Sequence, residues 1–279
     1  MNSERSLKGI FSRNLIIVAC CFLIALGGFG YILTTLPGAA AKSPVCVVGG
    51  WKLALILTHV LTFALIPLAM RIFYHSLHIL LEESTSKEKA IFGSQLGLSF
   101  IMVAIASEIG WHVTQCWYYQ NQFTMLNFMF YFFLISAFAL WADGLVEQTT
   151  WITSAINILF AVGLLTVSIL YPLGYEASNP SYKIPIYVVL TLVFSILTYR
   201  GYKLLSTWKI ILFPLFSVGV NLAFIFLLDE YGTEPVTNAL FHILHDFGGT
   251  EAGVAIFTWL IYQKALVKEN SAPGLSSQK

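Results

Sequence analysis

Charge is what this sequence has least of. Of its 279 residues, 10% are charged and 57% are hydrophobic, and the mean hydropathy is +0.77. A soluble domain carries about 25% charged residues, so this chain has too few to coat a water-facing surface. That excludes a soluble protein and leaves an all-α, polytopic bundle of membrane helices. An excess of either sign is missing too. Fifteen basic residues against fourteen acidic ones give a net charge of +1, without the basic footprint that a nucleic-acid partner requires. No large soluble domain remains once the apolar runs are set aside, and no internal repeat is strong enough to mark an inverted-repeat transporter.

What the chain does have is a series of apolar runs. About 20 apolar residues span a bilayer, and such runs fall near 14–36, 51–73, 92–115, 124–142, 151–172, 184–200, 207–228 and 237–262. That predicts about eight transmembrane helices. The first run follows Arg5, Lys8 and Arg13 and exceeds the roughly 7–15 residues of a signal-peptide core. It reads as an uncleaved helix, although Pro37-Gly38-Ala39-Ala40-Ala41 behind it leaves a cleavage site open. The second run continues as an amphipathic extension through His75-Ser76-Leu77-His78.

The basic residues test this partition, because they concentrate on the cytoplasmic side. With the N-terminus inside, Arg5, Lys8, Arg13, Arg71, Lys87, Lys89, Arg200, Lys203, Lys209, Lys264, Lys268 and Lys279 are inner, and only Lys42, Lys52 and Lys183 are outer. Both ends are thus expected in the cytoplasm of a plasma (inner) membrane protein. Residues 1–13 form the N-terminus, 14–263 a single transmembrane domain and 264–279 a tail, disordered from its Ser, Pro and Gly content after Glu269. Turns are expected at Gly49-Gly50, Asn179-Pro180 and Tyr231-Gly232. Cys20 and Cys21 sit in the first helix as packing residues. Cys46 and Cys116 both fall on the outer side, where disulfides persist, and form a candidate pair; two unpaired cysteines explain them equally well.

Ionisable residues inside a membrane segment are costly and mark candidate sites. The most polar such stretch is Phe241 to Glu251, which holds His242, His245, Asp246 and Glu251. Imidazoles three apart, as at His242 and His245, can share a metal ion from one helix. The alternative is a helix that begins at Thr237-Asn238, with the same groups as caps and His245 at the interface. On the third helix Glu108 and His112 lie one turn apart and share a face. Glu108 can orient a metal-bound imidazole there, or simply tie two helices through a neutral hydrogen bond. His59 lies about 12 Å below the outer end of the second helix, so four histidines share the outer half of the membrane. Asp143 and Glu147 read as solvated boundary residues, Asp229, Glu230 and Glu234 as a solvated acidic loop, and Trp117, Tyr118 and Tyr119 as an interfacial belt.

Two of these elements resemble a known superfamily. Trp111-His112-Val113-Thr114 looks like an early F-H-A-T element, and His242-Ile243-Leu244-His245-Asp246-Phe247-Gly248-Gly249 is similar to a last-helix H-L-L-T-G-L-G element. Both belong to the seven-helix metal-dependent hydrolases that include alkaline ceramidases and adiponectin-receptor-like proteins. An additional N-terminal helix would turn that family's seven helices into eight here. The resemblance implies zinc held by His112, His242 and His245, with Glu108 or Asp246 moving the proton and Ser107 beside them. The substrate would be a lipid amide or ester drawn from membrane lipids. The chain departs from the pattern at Asn238, which stands where a first last-helix histidine belongs, and at Glu108, which takes the serine position. The aspartate expected after His112 is missing. His59, Asn238 and Glu251 are further candidates for the site.

Two other functions fit the same residues. In one, a non-enzymatic carrier or receptor uses its buried His, Glu and Asp for proton or ion coupling. In the other, His59 and His112 are axial ligands of a haem. A retinal protein is not expected, because no lysine lies within 237–262.

Overall fold

The computed structural model describes residues 16–28, 46–114, 120–145, 151–176 and 183–271. Among the described residues the only regular structure is helix, with no strand. Its helices are α1 (Ile16–Gly28), α2 (Gly49–Leu80), α3 (Lys87–Thr114), α4 (Gln120–Gly144), α5 (Trp151–Glu176), α6 (Lys183–Leu205), α7 (208–231) and α8 (235–271). Each lies on one of the eight apolar runs. Gly49–Leu80, Lys87–Thr114, Met125–Gly144, Ile184–Leu205 and Trp208–Leu228 are long and apolar enough to cross a membrane. The chain is a polytopic helical membrane protein.

α2 opens on Gly49, whose φ of +63° is a left-handed conformation that glycine adopts without cost. Its 32 residues extend about 48 Å at 1.5 Å per residue, longer than a hydrocarbon core of about 30 Å. The surplus carries Tyr74, His75 and His78 at the inner end, as the amphipathic extension predicts. Outside, Lys52 Nζ donates to the Val113 carbonyl at 2.9 Å and ties the start of α2 to the end of α3.

α3 and α4 meet through small residues. A Cβ on Gly93 would lie 2.6 Å from Gly144 Cα, and one on Gly97 would lie 2.8 Å from the Ala137 carbonyl oxygen. Glycine at these positions lets the two backbones touch, as in other membrane helix pairs. α4 is the central helix. Its Phe128, Phe132, Phe138 and Trp141 are fully buried, and Trp141 packs on Phe73 of α2 and Phe257 of α8 at 4.8 and 5.3 Å between ring centroids. Asp143 is not a solvated boundary residue. It is 1% exposed, and Lys89 Nζ of α3 lies 3.5 Å from its carboxylate.

α2 and α8 run parallel and in register. The Thr62 hydroxyl donates to the Glu251 carboxylate, and Lys268 Nζ donates to the Ile79 carbonyl, with the same separation of 189 residues in both pairs. The Lys268 bond depends on α8 continuing to Ser271, so residues 264–271, expected in a disordered tail, are helical. Residues 272–279, Glu147, Asn179-Pro180 and Trp117 to Tyr119 lie outside the described residues.

Both α7 and α8 contain a wide π-helical turn, at Leu215–Val220 and Asp246–Glu251. The turns face each other. A Cβ on Gly249 would come within 3.2 Å of the Asn221 backbone, so this close approach also needs glycine. Asn221 Nδ2 uses it to donate to Thr250 Oγ1 at 2.9 Å and to the His245 carbonyl at 3.3 Å. Asn221 thereby ties α7 to the π turn of α8.

Candidate functional site

The π turn of α8 delivers Asp246 to a buried centre shared with α2 and α3. His59, Glu108 and His112 are each 1% exposed and Asp246 is 3% exposed. His59 Nδ1 lies 2.7 Å from the Leu55 carbonyl one turn back. A carbonyl only accepts, so Nδ1 donates to it and Nε2 is turned the other way. Nε2 lies 3.2 Å from Glu108 Oε2 and 3.7 Å from Asp246 Oδ2. One imidazole and two carboxyl groups therefore converge inside a low-dielectric bundle. Such an arrangement is stable only with positive charge among them, as protons or as a bound cation.

The remaining groups extend this centre on both sides. His112 Nε2 is 3.9 Å from Glu108 Oε1, and His242 Nε2 is 3.9 Å from Asp246 Oδ2. His245 Nδ1 is 2.5 Å from Asp246 Oδ1. Trp111 stacks on His112 at 4.9 Å and turns its edge to His242 at 5.1 Å. Donor atoms of His59, Glu108 and His112, and those of Glu108, His242 and Asp246, lie within 4.8 Å of one another, close enough to hold a metal ion. His245 is in neither group, and neither unites the expected His112, His242 and His245; His59, expected only as a further candidate, is in the first.

Other expected site residues point elsewhere. The Ser107 hydroxyl donates to the Val103 carbonyl of its own helix at 2.9 Å. Asn238 Nδ2 donates to the Gly232 carbonyl at 2.9 Å and closes the turn between α7 and α8. The rings of His59 and His112 are 5.0 Å apart with Glu108 against both, which leaves no slot for a flat macrocycle between them. Cys46 is disulfide-bonded, and its expected partner Cys116 lies outside the described residues. Cys20 and Cys21 are free. Sequence reasoning missed Thr62 and Asn221. The signal for Asn221 was there, as a lone amide in the apolar run 207–228.

A cavity of about 580 Å³ adjoins the centre, between α2 and α8. Thr62, Glu108, Asp246 and Glu251 form its polar end, and Ile72, Ile101, Ala255 and Trp259 are among its apolar walls. Leu65, Leu68 and Trp259 on its rim are 48%, 55% and 52% exposed. In a membrane helix such a rim faces lipid.

The sequence profile of a family described as Seven transmembrane receptor matches residues 51–267. No curated protein and no solved structure matches the chain. The matched region begins after α1 and contains the seven helices α2 to α8. It replaces the expected kinship with the ceramidase and adiponectin-receptor-like hydrolases, and with it the expected zinc-dependent lipid hydrolysis. The motifs that suggested hydrolysis are real as a buried cluster, but the profile assigns the helices that carry them elsewhere. The chain belongs to this family of seven-transmembrane receptors.

Proposed function

We propose that the chain is a membrane receptor in which a cation bound at the buried histidine–carboxylate centre is the receiving event. One observation carries this reading: His59 Nε2, oriented by the bond of Nδ1 to the Leu55 carbonyl, faces two carboxylate oxygens. Positive charge placed there draws α2, α3 and the π turn of α8 together. Asn221 then links that π turn to α7. A ligand shifts such a bundle only as far as it binds one arrangement better than another. A centre built from several helices gives that difference a structural basis.

The two donor sets around Glu108 suit a divalent ion of the zinc class, which takes imidazole and carboxylate ligands. The test is a cation series on the purified receptor in lipid nanodiscs, read by thermal midpoint and by tryptophan fluorescence, to which Trp111 beside the centre contributes. A ligand that binds only the folded state stabilises it by about 2.7 kcal/mol at roughly 100 times its Kd. We expect a saturable shift with Zn²⁺ or an alkylammonium ion, and none in Glu108→Gln. If the wild type and Glu108→Gln respond identically to every cation in the series, the proposal fails.

A further inference from the structure

We infer that the cation this receptor receives is the ammonium head of a membrane-dissolved, alkyl-chain amine, which lies in the cavity between α2 and α8. This inference rests on the cation-receptor reading above and names the ligand class. The cavity's 580 Å³ falls in the range of about 300–1,000 Å³ that small-molecule sites occupy. Its length follows α2 from Thr62 to Ile72, about 15 Å at 1.5 Å per residue. The walls along that length are mostly aliphatic or aromatic, and the Thr258 hydroxyl among them is taken up by the Val254 carbonyl, so they accept a hydrocarbon chain.

The polar end decides the head group. Glu108, Asp246 and Glu251 all line the cavity there, and no lysine or arginine lines it among the described residues. A carboxylate head would add a fourth anionic group, and a hydroxyl offers one donor to several acceptors. An ammonium group brings three donors and a positive charge, which matches the carboxyl oxygens that Glu108, Asp246 and Glu251 bring to this end. Thr62 holds Glu251 at the mouth of that end. Leu65, Leu68 and Trp259 open the cavity sideways, so an amphiphile reaches it from the bilayer with its chain already in hydrocarbon. A bare metal ion has no use for the apolar length.

The experiment compares dodecylamine, dodecanol, dodecanoate and Zn²⁺ on the receptor in phosphatidylcholine nanodiscs, read by thermal midpoint and tryptophan fluorescence. The variants are Glu251→Gln and Ala255→Trp. Ala255 lies on the exposed face of α8, so the larger ring fills the cavity without entering the packed core. We expect the amine alone among the three amphiphiles to give a saturable shift. Glu251→Gln should weaken it about tenfold or more, as loss of a charge-assisted partner does. Ala255→Trp should abolish it while any Zn²⁺ response stays as in the wild type. Equal shifts from dodecanol or dodecanoate, or an unchanged amine response in Ala255→Trp, would overturn the inference. A Zn²⁺ shift without an amine shift also overturns it and leaves the cation centre standing. No response to any cation sinks both.

Discussion

At the scale of single residues, a polar side chain in this bundle is defined by which carbonyl it finds first. Ser107 and Asn238 were plausible site residues by position, and each donates to a nearby backbone carbonyl instead. A hydroxyl in a membrane helix commonly bonds one turn back along its own chain, and no spacing rule distinguishes it from one aimed at a site. His59 shows the converse. Its bond to Leu55 uses one ring nitrogen, and that turns the other toward Glu108 and Asp246. Glu108, His112, His242 and Asp246 were legible because charge inside an apolar run has few explanations. His59 needed the packing of α2 against α3 and α8 to reveal its role. Asn221 offers a direct measurement at this scale. Asn221→Ala removes both side-chain bonds that tie α7 to the π turn and should cost about 1–3 kcal/mol, seen as a lowered unfolding midpoint. Asn221→Asp has no N–H to give and should not restore it.

At the scale of helices, the apolar runs located every element, but not its internal geometry. Hydropathy averages over a window and does not register one extra residue in a turn. The π turns of α7 and α8 therefore read as ordinary helix, although Gly248-Gly249 marked the second as a place of close approach. The α3–α4 contact has the same character. Gly93 admits no side chain against Gly144, whereas a Cβ on Gly27 of α1 would meet nothing within 4 Å. Gly93→Leu should therefore destabilise the bundle by about 1–3 kcal/mol, the range for overpacking. Gly27→Leu should leave the midpoint close to wild type. Equal behaviour of the two variants would refute the close contact. The buried Lys89–Asp143 pair sits at the inner end of the same interface, where a solvated boundary had been expected.

At the scale of the whole molecule, α2 and α8 form a parallel pair, fastened midway along by Thr62 and Glu251 and near the C-terminal end of both by Lys268 and Ile79. The cavity lies between these two fastenings. A cation at the outer end therefore acts on a unit whose inner end lies where the basic residues concentrate. Spin labels at Glu83 and Glu269, both exposed, should report a changed distance distribution when a cation that shifts the thermal midpoint is added. An unchanged distribution would confine the response to the centre itself. The positions of the helices were readable from apolar length. Which helices run side by side was not, because the Thr62–Glu251 and Ile79–Lys268 contacts are each 189 residues apart in sequence.

The sideways mouth between Leu65, Leu68 and Trp259 has a consequence for how any dose is measured. A ligand that arrives through hydrocarbon equilibrates first with the bilayer, and its aqueous concentration becomes only a reservoir. The quantity that sets occupancy is then its mole fraction among the lipids. Doubling the lipid at a fixed total of a strongly partitioning amine should weaken the apparent affinity, while titrations plotted against mole fraction should superimpose. Two membranes bathed in the same solution, but with different solvent power for the ligand, would present this receptor with two different signals.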